Sequence, residues 1–162
     1  MQPDYLIVLP IDPMLVGDLY AKGEELPLHC TLMPWFRLSS SFSRERLNYE
    51  LMVLGTGLDE GFIELISDYP EYMGHVLAHI LKRDARLLLL HTRLLISLVK
   101  INSQPRDVEW IGAGYRPHVT NRTDKLLVPY RRHRVTDLAL LERDKDGTKK
   151  VVYSRALNEI PF

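Results

Sequence analysis

Apolar and polar positions along the chain switch between a period of two and a period near 3.6, and the switches outline its elements. Residues 5–9 form a β-rich apolar run closed by Pro10, which reads as a strand. Asp12 and Pro13 then offer an N-cap and a favourable first helical residue, predicting a short helix over residues 13–22 that ends at Gly23. Residues 26–33 read as a strand stopped by Pro34. After the serine-rich loop 39–43, Leu47, Leu51 and Leu54 recur on one stripe and predict a helix over residues 44–54, ended by Gly55 and Gly57.

Residues 62–66 and 74–81 read as two further strands, with Tyr69-Pro70 marking the turn between them. The strongest periodicity follows: Asp84 can cap a helix on which Leu87, His91, Leu94, Leu98 and Ile101 share an apolar face up to about Asn102. A polar connection leads to strands over residues 108–111, 115–122, 135–142 and 149–157, the last two joined by an Asp146-Gly147 turn. Helices interspersed with hairpins imply an α+β fold with largely antiparallel sheets.

Chemistry concentrates on two of these strands. Alternation over residues 115–122 puts Arg116, His118, Thr120 and Arg122 on one face, with Pro117, Val119 and Asn121 on the other. Arginine forks, a hydroxyl and an imidazole together suit a phosphate. Residues 28–32 hold a partial copy, in which His29 and Thr31 share a face opposite Leu28, Cys30 and Leu32. In-line displacement at phosphorus wants a base on one side and an acid on the other, and two histidines can supply both. The two threonines would hold the non-bridging oxygens. Trp35 has the nominal parity of His29 and Thr31 and would stack on a base, unless Pro34 breaks the register.

Composition narrows the partners. A length of 162 residues, 46% of them hydrophobic and 26% charged, suffices for one domain over 1–162 without disulfides or a structural metal. Lysine plus arginine and aspartate plus glutamate both total 21, which argues against broad attachment to long nucleic acids and leaves room for a local basic groove. The single cysteine, Cys30, excludes an internal disulfide and points to the reducing cytoplasm. The alternation places it on the core face as a small apolar group rather than a nucleophile. The apolar run near the N-terminus is too short for a signal core, and no membrane span is expected.

The remaining histidines take plainer roles. His75 and His79 are four apart, a spacing that binds metal on a helix, but the segment reads as a strand, so no metal is expected. His91 falls on the apolar stripe of the long helix and reads as a packed structural residue. His133, among Arg131, Arg132 and Arg134, belongs to a solvated basic face.

The pairing of His29-Cys30-Thr31-Leu32 with Arg116-Pro117-His118-Val119-Thr120 resembles the two-histidine (2H) phosphoesterase superfamily, especially its 2′-5′ RNA ligase-like branch. That resemblance, covering nearly the whole chain, implies a bilobal α+β fold with outer helices, approximate twofold symmetry and one His-x-Thr strand per lobe. It implies that His29 and His118 are the acid/base pair, that Thr31 and Thr120 bind phosphate, and that Arg116, Arg122 and Trp35 are available to substrate. The expected activity is metal-independent, cofactor-free hydrolysis of a 2′,3′-cyclic phosphate to a 2′-phosphate, with 2′-5′ ligation as the reverse. The expected partner is an RNA 3′ end or a cyclic-phosphate nucleotide, met by a monomer. The alternative is an RNA- or nucleotide-binding module that keeps the phosphate pocket without useful catalysis. Asn121 stands where the family has an apolar residue, so it requires a hydrogen-bond partner or an exposed edge.

Overall fold

The computed structural model describes residues 2–58 and 60–158. Along the chain lie β1 (Asp4–Pro10), β2 (Leu19–Tyr20), β3 (His29–Arg37), α1 (Arg44–Met52), β4 (Ile63–Met73), β5 (Val76–Leu81), α2 (Ala85–Lys100) and β6 (Gln104–Pro105). Two single-turn 3-10 helices, Val108–Trp110 and Gly112–Gly114, lead to β7 (His118–Thr120), β8 (Arg132–Val135), β9 (Asp137–Arg143) and β10 (Lys149–Ala156). The strands form one sheet in the order β2-β10-β9-β1-β3-β7-β5-β4-β8, with β6 added beside β3. Every pairing is antiparallel, as the hairpin-rich pattern requires.

One face of the sheet carries the main core. Tyr5, Ile7 and Leu9 of β1, Cys30 and Leu32 of β3 and Val119 of β7 pack there against Leu47 and Leu51 of α1 and Leu87, Leu94 and Leu98 of α2. The helices start where their caps dictate: Ser43 Oγ accepts from Arg46 N–H, and the Asp84 carboxylate accepts from Arg86 and Leu87 N–H. Leu54 and Ile101 are buried with the rest of their expected stripes. The opposite face has only a small cluster of Leu6, Val8, Met14, Tyr20, Ala139, Leu141 and Val151, and it stays open beside that cluster.

Several expected elements come out differently. Residues 13–22 are not helical. Asp12 pairs with Lys125 at 2.6 Å instead of capping, Gly17 takes a φ of 101°, and Asp18 accepts the Leu15 N–H at 2.8 Å. A side chain that satisfies the local backbone this way competes with a helix, and the chain turns into β2 against β10. Pro34 does not stop β3, because the register slips between Tyr5 and Ile7 and the proline falls in the resulting bulge, where a missing N–H is tolerated.

Tyr69-Pro70 is not a turn: β4 runs through it to Met73, and the hairpin closes at Gly74, whose φ is 64°. Past Ser67, which still exchanges backbone bonds with Tyr130 and Arg131, β4 pairs with β5 alone, so Pro70 sits on an edge. Residues 108–111 form a 3-10 turn rather than a strand. A Cβ at Gly114 would stand 2.0 Å from the Glu109 carbonyl oxygen, so this tight double turn exists only because glycine closes it. The strand at 115–122 shrinks to the three residues of β7, and β8 precedes the expected strand at 135–142.

Candidate active site

The two motif strands are direct neighbours at the middle of the sheet. Cys30 of β3 pairs with Val119 of β7, both fully buried in the core. One step along in either direction, the antiparallel register sets His29 opposite Thr120 and Thr31 opposite His118, all directed to the open face. The strand order is balanced about this pair, with β1 and β9 on one side and β5 and β4 on the other. The approximate twofold is thus visible in the topology.

Both imidazoles are held in the same way. His29 Nδ1 lies 2.7 Å from the Pro27 carbonyl oxygen, and His118 Nδ1 lies 2.9 Å from that of Arg116. A carbonyl can only accept, so each Nδ1 carries its proton and each Nε2 is the atom left to a ligand. The surroundings differ. Desolvation lowers the pKa of His29 below its ordinary 6.5; the Pro27 carbonyl partly opposes this, and the neighbouring His118 adds to it. His29 is therefore mostly neutral at pH 7.

His29, Thr31 and His118 line an open cleft of about 310 Å³, walled by Leu6, Leu26, Pro34, Trp35, Met73 and Trp110 and bordered by Tyr115 and Arg116. Apolar walls around a few convergent polar groups are what a small-molecule or nucleotide site requires. The Thr31 hydroxyl has no partner within the described residues. Thr120 shares the face by register but is exposed and stands outside the cleft wall. Trp35 lines the cleft, and the Arg143 guanidinium covers its ring at 4.1 Å.

The two arginines part company. Arg116 reaches the cleft, where Glu71 grips it through both carboxylate oxygens and the Tyr69 hydroxyl accepts from it at 3.1 Å. Arg122 turns to Asp124, donating from Nε at 2.8 Å, and has no place in the cleft lining. Asn121 has the partner it requires: its side-chain oxygen accepts the Leu127 N–H at 3.1 Å.

Behind the cleft stands an assembly that sequence reasoning described only in part. His91 donates from Nδ1 to the Leu32 carbonyl at 2.8 Å and accepts the Gly112 N–H on Nε2 at 2.9 Å. With both nitrogens committed it must be neutral, and burial lowers its pKa accordingly. Its ring stacks on Tyr115 at 3.8 Å, and the Tyr115 hydroxyl donates to the Thr31 carbonyl at 3.0 Å. One buried histidine thus links α2, β3 and the loop that presents Trp110. Trp110, Met73 and Tyr115 were not anticipated in the cleft. The glycines at 112 and 114 were the available signal that Trp110 sits on a turn.

Other readings settle from their contacts. Cys30 is fully buried, and desolvation pushes its thiol up to about 12, which fits a core residue. His79 lies opposite Val119 on the helix-covered side with its Nδ1 2.6 Å from Ser67 Oγ, while His75 is exposed in the hairpin turn. Among the described residues no three His, Cys, Asp or Glu side chains converge as a metal site, and no helix is long and apolar enough to cross a membrane.

No protein-family model and no curated protein matches the sequence. Solved structures do match in three dimensions. A protein described as a phosphoesterase is 16% identical over 98% of this chain and 100% of its own, with a TM-score of 0.62. Escherichia coli LigT complexed with NADP+ is 16% identical over 98% of this chain and 99% of its own, with a TM-score of 0.60. LigT complexed with 3′-AMP is 15% identical over 98% and 100%, with a TM-score of 0.56. At such identity the likeness is one of architecture, and it agrees with the resemblance of the two motifs: the chain has the α+β fold of the two-histidine phosphoesterases.

Proposed function

We propose that the protein is a phosphodiesterase that opens a 2′,3′-cyclic phosphate at an RNA end, or on a related nucleotide, to a 2′-phosphate. The observation that carries this reading is the pair of equivalently held imidazoles in one cleft, each with Nδ1 fixed by a carbonyl and Nε2 left over. Neutral His29 takes a proton from water on Nε2 as the water oxygen attacks phosphorus. The bond from phosphorus to the 3′ oxygen breaks, and that oxygen takes the proton from Nε2 of protonated His118. The lowered pKa of His29 is what favours it as the base in this direction.

Thr31, beside His118, donates its hydroxyl to a non-bridging oxygen, with Thr120 in the corresponding place beside His29. Both proton transfers are supplied by imidazoles, so the mechanism requires no metal. With a ribose 5′-hydroxyl in place of water, the same attack on phosphorus and the same break of its bond to the 3′ oxygen give a 2′-5′ linkage, so the two proton transfers also serve ligation. The complexes of LigT with NADP+ and 3′-AMP support a ligand of nucleotide chemistry.

The test is product analysis with wild type, His29→Ala and His118→Ala on 2′,3′-cyclic mononucleotides, cyclic-ended RNAs and 2′-5′ oligonucleotides. Each substitution is expected to lower turnover by about a thousandfold with an unchanged circular dichroism spectrum, and chelator should have little effect. Full activity of His118→Ala would sink the proposal. Saturable binding with no product in wild type would instead favour a binding module.

A further inference from the structure

The open face of the sheet does not end at the cleft. Asp4 of β1 lies on the side of Leu6 and Val8 and stands opposite Arg143 of β9, just as Leu6 stands opposite Leu141. Three arginines converge on its buried carboxylate: Arg37 at 3.1 Å, Arg106 at 2.8 Å and Arg143 at 3.0 Å. Each spends a single terminal nitrogen there, and one carboxylate cannot balance three guanidinium charges. Together with Lys22 and Lys149 they line a second cleft of about 400 Å³, whose wall holds six basic and three acidic side chains. In a protein with a net charge of zero, such a surplus is local.

This basic cleft adjoins the histidine cleft. Trp35 lines the histidine cleft, Arg143 of the basic cleft stacks on its ring, and Arg106 N–H donates to the Trp35 carbonyl at 3.0 Å. Along β3 the six residue steps from Thr31 to Arg37 span about 20 Å. A single nucleotide seated between the histidines does not reach that far.

We infer that the Arg37–Arg106–Arg143 cleft is a second phosphate site, which holds the backbone of a single-stranded oligoribonucleotide several nucleotides from the end that reacts. The inference deepens the proposed function and rests on it for which end of the strand enters the histidine cleft. It makes the preferred substrate an oligonucleotide rather than a mononucleotide. Trp35, backed by Arg143, is the stacking surface between the two phosphates.

Fluorescence anisotropy with a 5′-labelled oligouridylate hexamer and dimer, each ending in a 3′-phosphate, tests this without any turnover. The hexamer is expected to bind at least about tenfold more tightly than the dimer. Arg106→Gln should remove most of that preference and reduce the slope of log affinity against log salt by about 0.7. Arg106 is half exposed and leaves Asp4 two arginines, so folding should survive. Lys22→Gln, at an exposed side chain, is the second variant and should act in the same direction.

Equal binding of dimer and hexamer, or an unchanged hexamer affinity and salt slope in both variants, would overturn the inference. Failure of the phosphodiesterase reading shows up separately, as absence of product from every cyclic phosphate while the Arg106-dependent preference for the hexamer persists.

Discussion

The two His-x-Thr strands repeat one local geometry in unequal settings. β3 has nine residues, is bonded along both edges, and carries His29 where desolvation keeps it neutral. β7 has three residues, and its Thr120 is exposed. The local geometry is nonetheless conserved between them, down to the Nδ1 bond to the carbonyl two residues back. A local twofold therefore provides two positioned imidazoles, and desolvation of His29 is what the proposed mechanism uses to tell them apart. In the proposed mechanism the inequality, more than the symmetry, separates the base from the acid.

The threonines offer the largest way to break that comparison short of removing a histidine. Thr31 lines the cleft and Thr120 does not. A hydroxyl donor held away from water is costly to lose, whereas at an exposed position water takes its place. Thr31→Ala is expected to lower kcat/KM by about a hundredfold and Thr120→Ala by less than about tenfold. Equal losses would mean that substrate treats the halves symmetrically, and the reverse order would place the phosphate on the β7 side.

The acid limb of the pH profile sharpens the same point at smaller amplitude. The base must be neutral to act, so kcat/KM falls as pH drops through the pKa of His29 in the free enzyme. That pKa lies below 6.5, so at pH 6.5 more than half of the plateau should remain, and the limb should develop below it. Thr31→Ala leaves both imidazoles in place, so the same measurement on that variant should keep the limb's position. A midpoint above 6.5 would contradict the assignment of His29 as base.

Much of this was legible in the residues. The motif strands, both helices with their caps and the closing hairpin follow from periodicity and turn chemistry, because each is decided by neighbours close in sequence. The misread segments were decided by distant partners. Pro34 and Pro70 sit in strands because a bulge and an unpaired edge absorb their missing N–H groups, and neither condition is visible without the neighbouring strand. The segment after Asp12 looks like a capped helix until Lys125, 113 residues away, takes the aspartate. In the site, His29, Thr31 and His118 could be named from alternation together with the resemblance of the two motifs. Arg122 could not be set aside without seeing Asp124 take its guanidinium, nor Trp110 included without seeing Gly114 close its turn.

The smallest expected effect concerns how the unequal halves are tied together. Tyr115 lies on the chain entering β7, yet its hydroxyl holds the carbonyl of Thr31 on β3, and its ring is clamped by His91. Burial keeps that phenol protonated, with its pKa raised well above 10, so the bond persists across the working pH range. Tyr115→Phe keeps the stacked ring and deletes only the donor. A cost of about 1 kcal/mol in stability is expected, read as a lower urea midpoint at unchanged m-value. Because the deleted bond acts on β3, the accompanying fall in kcat/KM should be largely absent when Thr31 is already alanine. A double-mutant cycle with Thr31→Ala measures that coupling directly, and strict additivity would mean that Tyr115 supports the fold without positioning the phosphate-binding threonine.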